Sequence, residues 1–382
     1  MDTGVEWIHP ALMEKWRGYD PVTEEADPAG NWFDAVYGTE FPEDPHGHGT
    51  HVMGTTVGQE ADGSNKIGVA PGARWIAVRI LDESGFGSDL DILSGAQWIL
   101  APEGNADLAP DIVNNSWGGG PGIDDWFRDA VVNWRAAGIF PVVAAGNQRP
   151  GEPPPGPGSI SVPGNYPESF AVAATDSSDS LAGFSLLGPS PYDPGLIKPE
   201  ISAPGVDIRS AVPGGGYEGG WNGTSMAAPA VTGTAALLLS ADQSLTVDDL
   251  AVLLTGTTVT LTDEKFPASP NFGYGYGLVD AFEAVAAVAE GTGFVTGKVL
   301  VEGSDTELPV ISHEQTVFET FANAPVTVQA GISDDVSVVS ADLLVRPTGA
   351  DNWFVTPMRR IEGDHRSGSW QGTISPDMYL AD

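Results

Sequence analysis

Short apolar, β-branched runs alternate with longer helix-like segments along residues 1–290, and this rhythm limits the architectures open to the chain more than any other feature. Trp75-Ile-Ala-Val-Arg-Ile80, Asp111-Ile-Val-Asn114 and Ile139-Phe-Pro-Val-Val-Ala-Ala145 read as strands covered on both faces. Asp89–Leu100, Asp124–Ala137, Thr246–Thr255 and Leu278–Val288 read as helices, the first two opened by an acidic residue of the kind that favours a helix start. Strands separated by helices pair in parallel, so the expected class is α/β: a mostly parallel sheet with helices on both faces, three layers in all.

The pattern changes near residue 295. Val326-Thr-Val-Gln-Ala330 and Val336–Val345 alternate apolar and polar residues and are separated by turn residues such as Asp334-Asp335. The expectation is two domains, 1–290 and 291–382, the second an all-β, sandwich-like segment with too few strands to be complete. Arg149–Gly158, rich in proline and glycine, suits neither regular element and reads as a surface loop.

Composition removes several function classes. The chain has no cysteine, which excludes disulfides, thiol catalysis and thiolate metal sites. Its 16 basic and 52 acidic side chains give a net charge of -36, so phosphate would be repelled and neither a nucleic acid nor an anionic membrane is an expected partner. Such acidity also suits a salty medium, where ions screen self-repulsion. The apolar runs Val231–Leu239 and Ala281–Ala289 fall short of the roughly 20 residues that span a bilayer.

Chemistry concentrates in three segments. Gly223-Thr-Ser-Met-Ala-Ala-Pro229 runs into the small-residue, leucine-containing stretch Ala230–Ser240, which places Ser225 at the start of a buried helix. A serine hydroxyl needs a neighbouring base, and histidine suits that task near neutral pH. Of six histidines, His46, His48 and His51 cluster in Asp44-Pro-His-Gly-His-Gly-Thr-His-Val-Met-Gly54. His48 and His51 also have a spacing that suits a metal, but no convincing third ligand accompanies them, and the general-base reading of His48 is preferred. A base works best when a buried carboxylate orients it, and Asp2 in Asp2-Thr-Gly-Val5 is the candidate.

Together these segments resemble the subtilisin-like serine peptidase family, whose catalytic residues follow the chain order Asp, His, Ser. Val113-Asn-Asn-Ser-Trp-Gly-Gly119, Gly188-Pro-Ser-Pro-Tyr192 and Lys198-Pro-Glu-Ile-Ser202 look most like the bacillopeptidase F branch of that family. The resemblance implies a serine endopeptidase working through an acyl-enzyme, with catalytic Asp2, His48 and Ser225. It also implies that Asn147, in Val143-Ala-Ala-Gly-Asn147, donates to the oxyanion; otherwise Asn147 is a turn residue.

It further implies that Ser84, Gly85, Phe86 and Gly87, with Ser116, Trp117 and Gly118, pair with an extended substrate backbone, and that Ser161 lies near the primary specificity pocket. The bland alternative for Trp117 is a core aromatic. The implied substrates are proteins or peptides, the implied state a secreted monomer, and no cofactor is required for the chemistry. Structural calcium is admitted, with Gln59-Glu-Ala-Asp-Gly-Ser-Asn65 as a plausible loop and no ligand assigned. The family places its aspartate at the end of a central strand, whereas Met1 stands directly before Asp2, so the first central strand is expected to be missing. On that ground the alternative is an inactive fragment or pseudoenzyme that binds peptides without cleaving them.

Overall fold

A computed structural model of the chain describes residues 1–149, 151–288, 308–313, 325–334, 338, 340–347, 353–364 and 366–378. It divides into two compact units, Met1–Val288 and Ala289–Asp382.

In the first unit the strands Ile112–Asn115, Phe140–Ala144, Phe170–Thr175 and Ile201–Pro204 pair in parallel in that order. Trp32–Asp34 and Ala77–Arg79 form a second parallel pair. The chain start lies between these sheets: Asp2 N–H donates to the Val78 carbonyl (3.1 Å), Ile80 N–H donates to the Asp2 carbonyl (2.9 Å), and the Met1 amine donates to the Asn114 carbonyl (3.1 Å). Asp2 therefore forms an isolated parallel bridge with Arg79.

Helices follow from the pattern of what each strand buries. Phe140, Val142 and Ala144, with Phe170, Val172 and Ala174, are alternate residues that point one way. They pack in one core with Ala227, Val231 and Leu238 of α4 (Thr224–Ala241), Leu250 and Leu254 of α5 (Val247–Gly256) and Ala284 of α6 (Ala281–Val288). Val78, Ile80, Val113 and Ile139 join a second core with Ile92, Ala96 and Ile99 of α2 (Asp89–Leu100) and Val131 and Trp134 of α3 (Arg128–Ala136). The remaining helix of this unit, α1 (His48–Val57), packs on α4 and on the strand Ile208–Val212.

Several expected boundaries shift. α3 begins at Arg128, not Asp124, because residues 124–127 turn on themselves: Arg128 N–H donates to the Asp125 carbonyl (3.0 Å) and Asp124 N–H donates to the Tyr192 hydroxyl (3.0 Å). α6 begins at Ala281, since Leu278 is spent in bridges to Ser202 and Val259. α2 keeps the expected bounds, with Ser88 as its cap, the hydroxyl accepting from Asp91 N–H. α4 runs well beyond the apolar stretch Val231–Leu239 and is long and apolar enough to cross a bilayer, yet 67% of it is buried inside the unit as a core helix.

The second unit contains a four-stranded antiparallel sheet ordered Val310–Ser312, Val326–Ser333, Ser367–Ile374, Arg359–Gly363, and an antiparallel pair Asp342–Val345 with Phe354–Pro357. Ala330, Ile332, Val338 and Trp370 form its small core. Of the expected strand Val336–Val345, only Asp342–Val345 is a strand, and residues 336, 337 and 339 lie outside the described ones.

Candidate active site

Asp2 is buried, and its Oδ1 accepts from Thr3 N–H (2.8 Å) and from His48 Nδ1 (2.7 Å). His48 is the first residue of α1, preceded by Gly47 in the left-handed conformation (φ 93°), and the glycine lets the chain turn abruptly into the helix. With Nδ1–H committed to Asp2, the free lone pair of the neutral ring is on Nε2.

Charge couples the pair. Burial lowers the His48 pKa, but the charge and hydrogen bond of Asp2, with the charge of Asp44 behind them, outweigh it and hold the imidazole above its ordinary value. Burial likewise pushes Asp2 up, and His48, the Met1 amine and Thr3 N–H more than reverse it, leaving the carboxyl below the usual range.

Ser225 is the second residue of α4, and its hydroxyl donates to the Ser116 carbonyl (3.0 Å), while Ser116 Oγ donates back to the Ser225 carbonyl (2.9 Å). Asn147 Oδ1 accepts from the backbone N–H (2.9 Å) and hydroxyl (3.0 Å) of Thr224. A backbone N–H only donates, so Thr224 settles which end of the Asn147 amide is oxygen and turns Nδ2 outward. A Cβ at Gly223 would stand 3.4 Å from Asn147 Nδ2 and 3.5 Å from Ser225 N. Two N–H donors therefore border one point at the positive end of α4, which favours negative charge there. Thr224 was missed as a functional residue in the sequence because its part depends on Asn147, 77 residues away.

The remaining expected residues fall near one or the other of these groups. Asp82 shapes the turn carrying Ser84–Gly87, its carboxylate accepting from Ser84 N–H (2.8 Å) and Phe86 N–H (3.0 Å). Gly85 has φ +77°, and a Cβ there would stand 3.3 Å from His46 Nε2, so the turn lies beside the histidine cluster; the Phe86 ring is exposed. Ser116, Trp117 and Gly118 continue the strand Ile112–Asn115. The Trp117 ring packs on Phe127 with centroids 5.1 Å apart, so its side chain packs against the core. Ser161 is buried, its hydroxyl donating to the Ala145 carbonyl (3.2 Å), and a Cβ on Gly118 or Gly146 would meet that hydroxyl at 2.8 or 2.4 Å. It therefore sits between the segments 116–118 and 145–147.

The metal reading of His48 and His51 finds no support in the geometry. His51 is fully buried and stacked on Trp221 (centroids 4.3 Å apart), and burial, helped by the His48 charge, pushes its pKa down to about 4. Among the described residues no three His, Asp or Glu side chains are grouped to hold a metal. In the loop Gln59–Asn65, side chains engage the oxygens that the sequence offered to calcium. Glu60 accepts from the Tyr217 hydroxyl (2.6 Å) and Asn65 Nδ2 (2.8 Å), while the cations Lys15 and Arg209 take the Gln59 carbonyl (2.6 Å) and Asn65 Oδ1 (2.9 Å).

The chain is similar to several known proteins. Residues 1–277 match the model of the subtilase family. Bacillopeptidase F of Bacillus subtilis (strain 168) is 54% identical over 387 residues, covering 99% of this chain and 26% of that protein. Subtilisin NAT of Bacillus subtilis subsp. natto is 32% identical over 280 residues, 73% of this chain and 63% of its own length. The chain thus spans about a quarter of the first relative and under two thirds of the second. The crystal structure of a cold adapted subtilisin-like serine proteinase superposes with a TM-score of 0.54 at 31% identity, covering 73% of this chain and 87% of that one.

Proposed function

Since the chain belongs to the subtilase family of serine peptidases, we propose that it hydrolyses peptide bonds of proteins through an acyl-enzyme, with Ser225, His48, Asp2 and Asn147 as the working residues. The observation that carries this reading is the 2.7 Å contact of His48 Nδ1 with buried Asp2, which leaves Nε2 as the base. The Ser225 hydroxyl turns from the Ser116 carbonyl to that nitrogen, gives up its proton and bonds to the substrate carbonyl carbon. The carbonyl oxygen takes the negative charge and accepts from Asn147 Nδ2 and Ser225 N–H. One such donor contributes roughly 2.7 to 4 kcal/mol in peptidases of this kind. Protonated His48 then passes its proton to the leaving nitrogen as the C–N bond breaks. Water, deprotonated by His48, cleaves the ester and restores the serine.

Segments 84–87 and 116–118 pair with the extended substrate backbone, which selects peptides over other amides. The chemistry needs no cofactor, and the enzyme acts outside the cell as a monomer.

A fluorophosphonate tests the reading directly: it should label Ser225 in the folded chain and fail to label the His48→Ala variant. Absence of labelling in a folded sample would replace cleavage with peptide binding alone.

A further inference from the structure

Asp44 stands four residues before His48 and is buried, yet no step above uses it. Its Oδ1 accepts from Thr3 Oγ1 (2.8 Å), Gly47 N–H (2.8 Å) and His46 N–H (3.2 Å), and its Oδ2 accepts from Thr50 N–H (2.8 Å) and Thr50 Oγ1 (2.7 Å). One carboxylate thus gathers donors from both sides of the Asp2–His48 contact. Gly47, at the cap position of α1, has no side chain to offer, so Asp44 does the capping from outside the helix. Thr3, next to Asp2, closes the loop of bonds: its hydroxyl donates to Asp44 and accepts from Gly49 N–H (2.9 Å). Thr50 Oγ1 also accepts from Glu6 N–H (3.0 Å), a second tie between α1 and the chain start.

We propose that Asp44 and Thr3 are positioning residues for the catalytic pair, a clamp that seats the first turn of α1 against residues 2–4 so that His48 Nδ1 meets Asp2 Oδ1. The proposal rests on the peptidase reading of His48 and Asp2. A second strand of support is electrostatic. The charged or titratable groups around His48 are Asp2, Asp44, His46 (ring centroid 6.1 Å away) and His51, with the Met1 amine acting on Asp2. Among them only Asp2 and Asp44 carry negative charge, so Asp44 favours the imidazolium that forms while the serine is attacking.

Thr3→Val, Thr3→Ser and Asp44→Asn in the full chain test the clamp, with kcat and KM on a peptide p-nitroanilide corrected by fluorophosphonate titration of active sites. Thr3→Val removes the bridging hydroxyl at nearly constant volume. It should lower kcat by at least ~10-fold with KM within about twofold, and Thr3→Ser should restore most of the rate. Asp44→Asn turns an acceptor into a donor facing Thr50 N–H, and should lower kcat and move the acid limb of kcat/KM to lower pH. Parent kcat and limb in both titrated variants, or a lowered melting temperature as the sole change, would overturn the proposal. If Asp44→Asn does not fold, Thr3→Val decides the matter, because it leaves the bonds of Asp44 to Gly47 and Thr50 in place. If even the parent chain is not labelled, the peptidase reading fails by itself. The clamp is then judged from the NMR titration of the His48 ring proton: a midpoint lowered in the variants supports it and an unchanged one refutes it.

Discussion

His48 is pulled in two directions, and the outcome sets how the chain responds to pH. Burial disfavours its charge, while Asp2 and Asp44 favour it, and the carboxylates prevail. Only the neutral ring accepts the serine proton, so a raised pKa delays the onset of activity as pH rises. The acid limb of kcat/KM should therefore fall above the ordinary histidine value of about 6.5, as measured across a pH series. Asp2→Asn removes the charge and allows the wrong tautomer. It should cut kcat by roughly 10⁴-fold, and what activity remains should show its limb at lower pH. An Asp2→Asn enzyme with the parent limb would show that Asp2 does not control the imidazole.

At the scale of elements, the site depends on how closely α1 approaches the chain start. A Cβ on Gly49 would lie 2.1 Å from the Gly4 carbonyl oxygen and 3.1 Å from Asp2 Cβ, so only glycine allows this contact. Gly49→Ala must push the helix and the strand-like start apart, an overpacking that costs about 1 to 3 kcal/mol. A displacement of even ~1 Å between His48 and Asp2 should lower kcat by roughly 10²-fold. Calorimetry and steady-state kinetics would register both effects, and parent kcat in the alanine variant would show that the seating of α1 is not critical. The same scale explains the misread helix starts. Asp124 has the chemistry of a cap, but its own N–H is engaged by Tyr192 and Asp125 turns onto Arg128, and the helix waits until Arg128.

Across the whole molecule, charge is the term that ordinary packing leaves uncompensated. With 52 acidic against 16 basic side chains, the folded state concentrates like charges that the unfolded chain spreads apart. Raising salt from about 0.01 M to about 1 M shortens the screening length from roughly 30 Å to roughly 3 Å. The melting temperature should rise across that series in differential scanning calorimetry. A flat or falling curve would mean that the acids are already spaced or paired well enough not to oppose folding.

Much of the architecture was legible because its signals are local. Apolar runs with intervening helical segments announce a parallel sheet, and Gly-Thr-Ser-Met-Ala-Ala-Pro before a small-residue run announces the start of α4. Motifs likewise pointed to His48, Ser225, Asn147 and Asp2 before their neighbours were known. Spacing along a chain says nothing about what stands opposite, so the tertiary structure alone decided the rest. It put Thr224 against Asn147 and so turned the amide. It showed Lys15 and Arg209 on oxygens of a loop that composition offered to calcium. It brought Thr3 to Asp44 across 41 residues, joining residues 2–4 to the helix that carries the base. What holds Asp2 is a bridge to Arg79 and hydrogen bonds contributed by residues far along the chain.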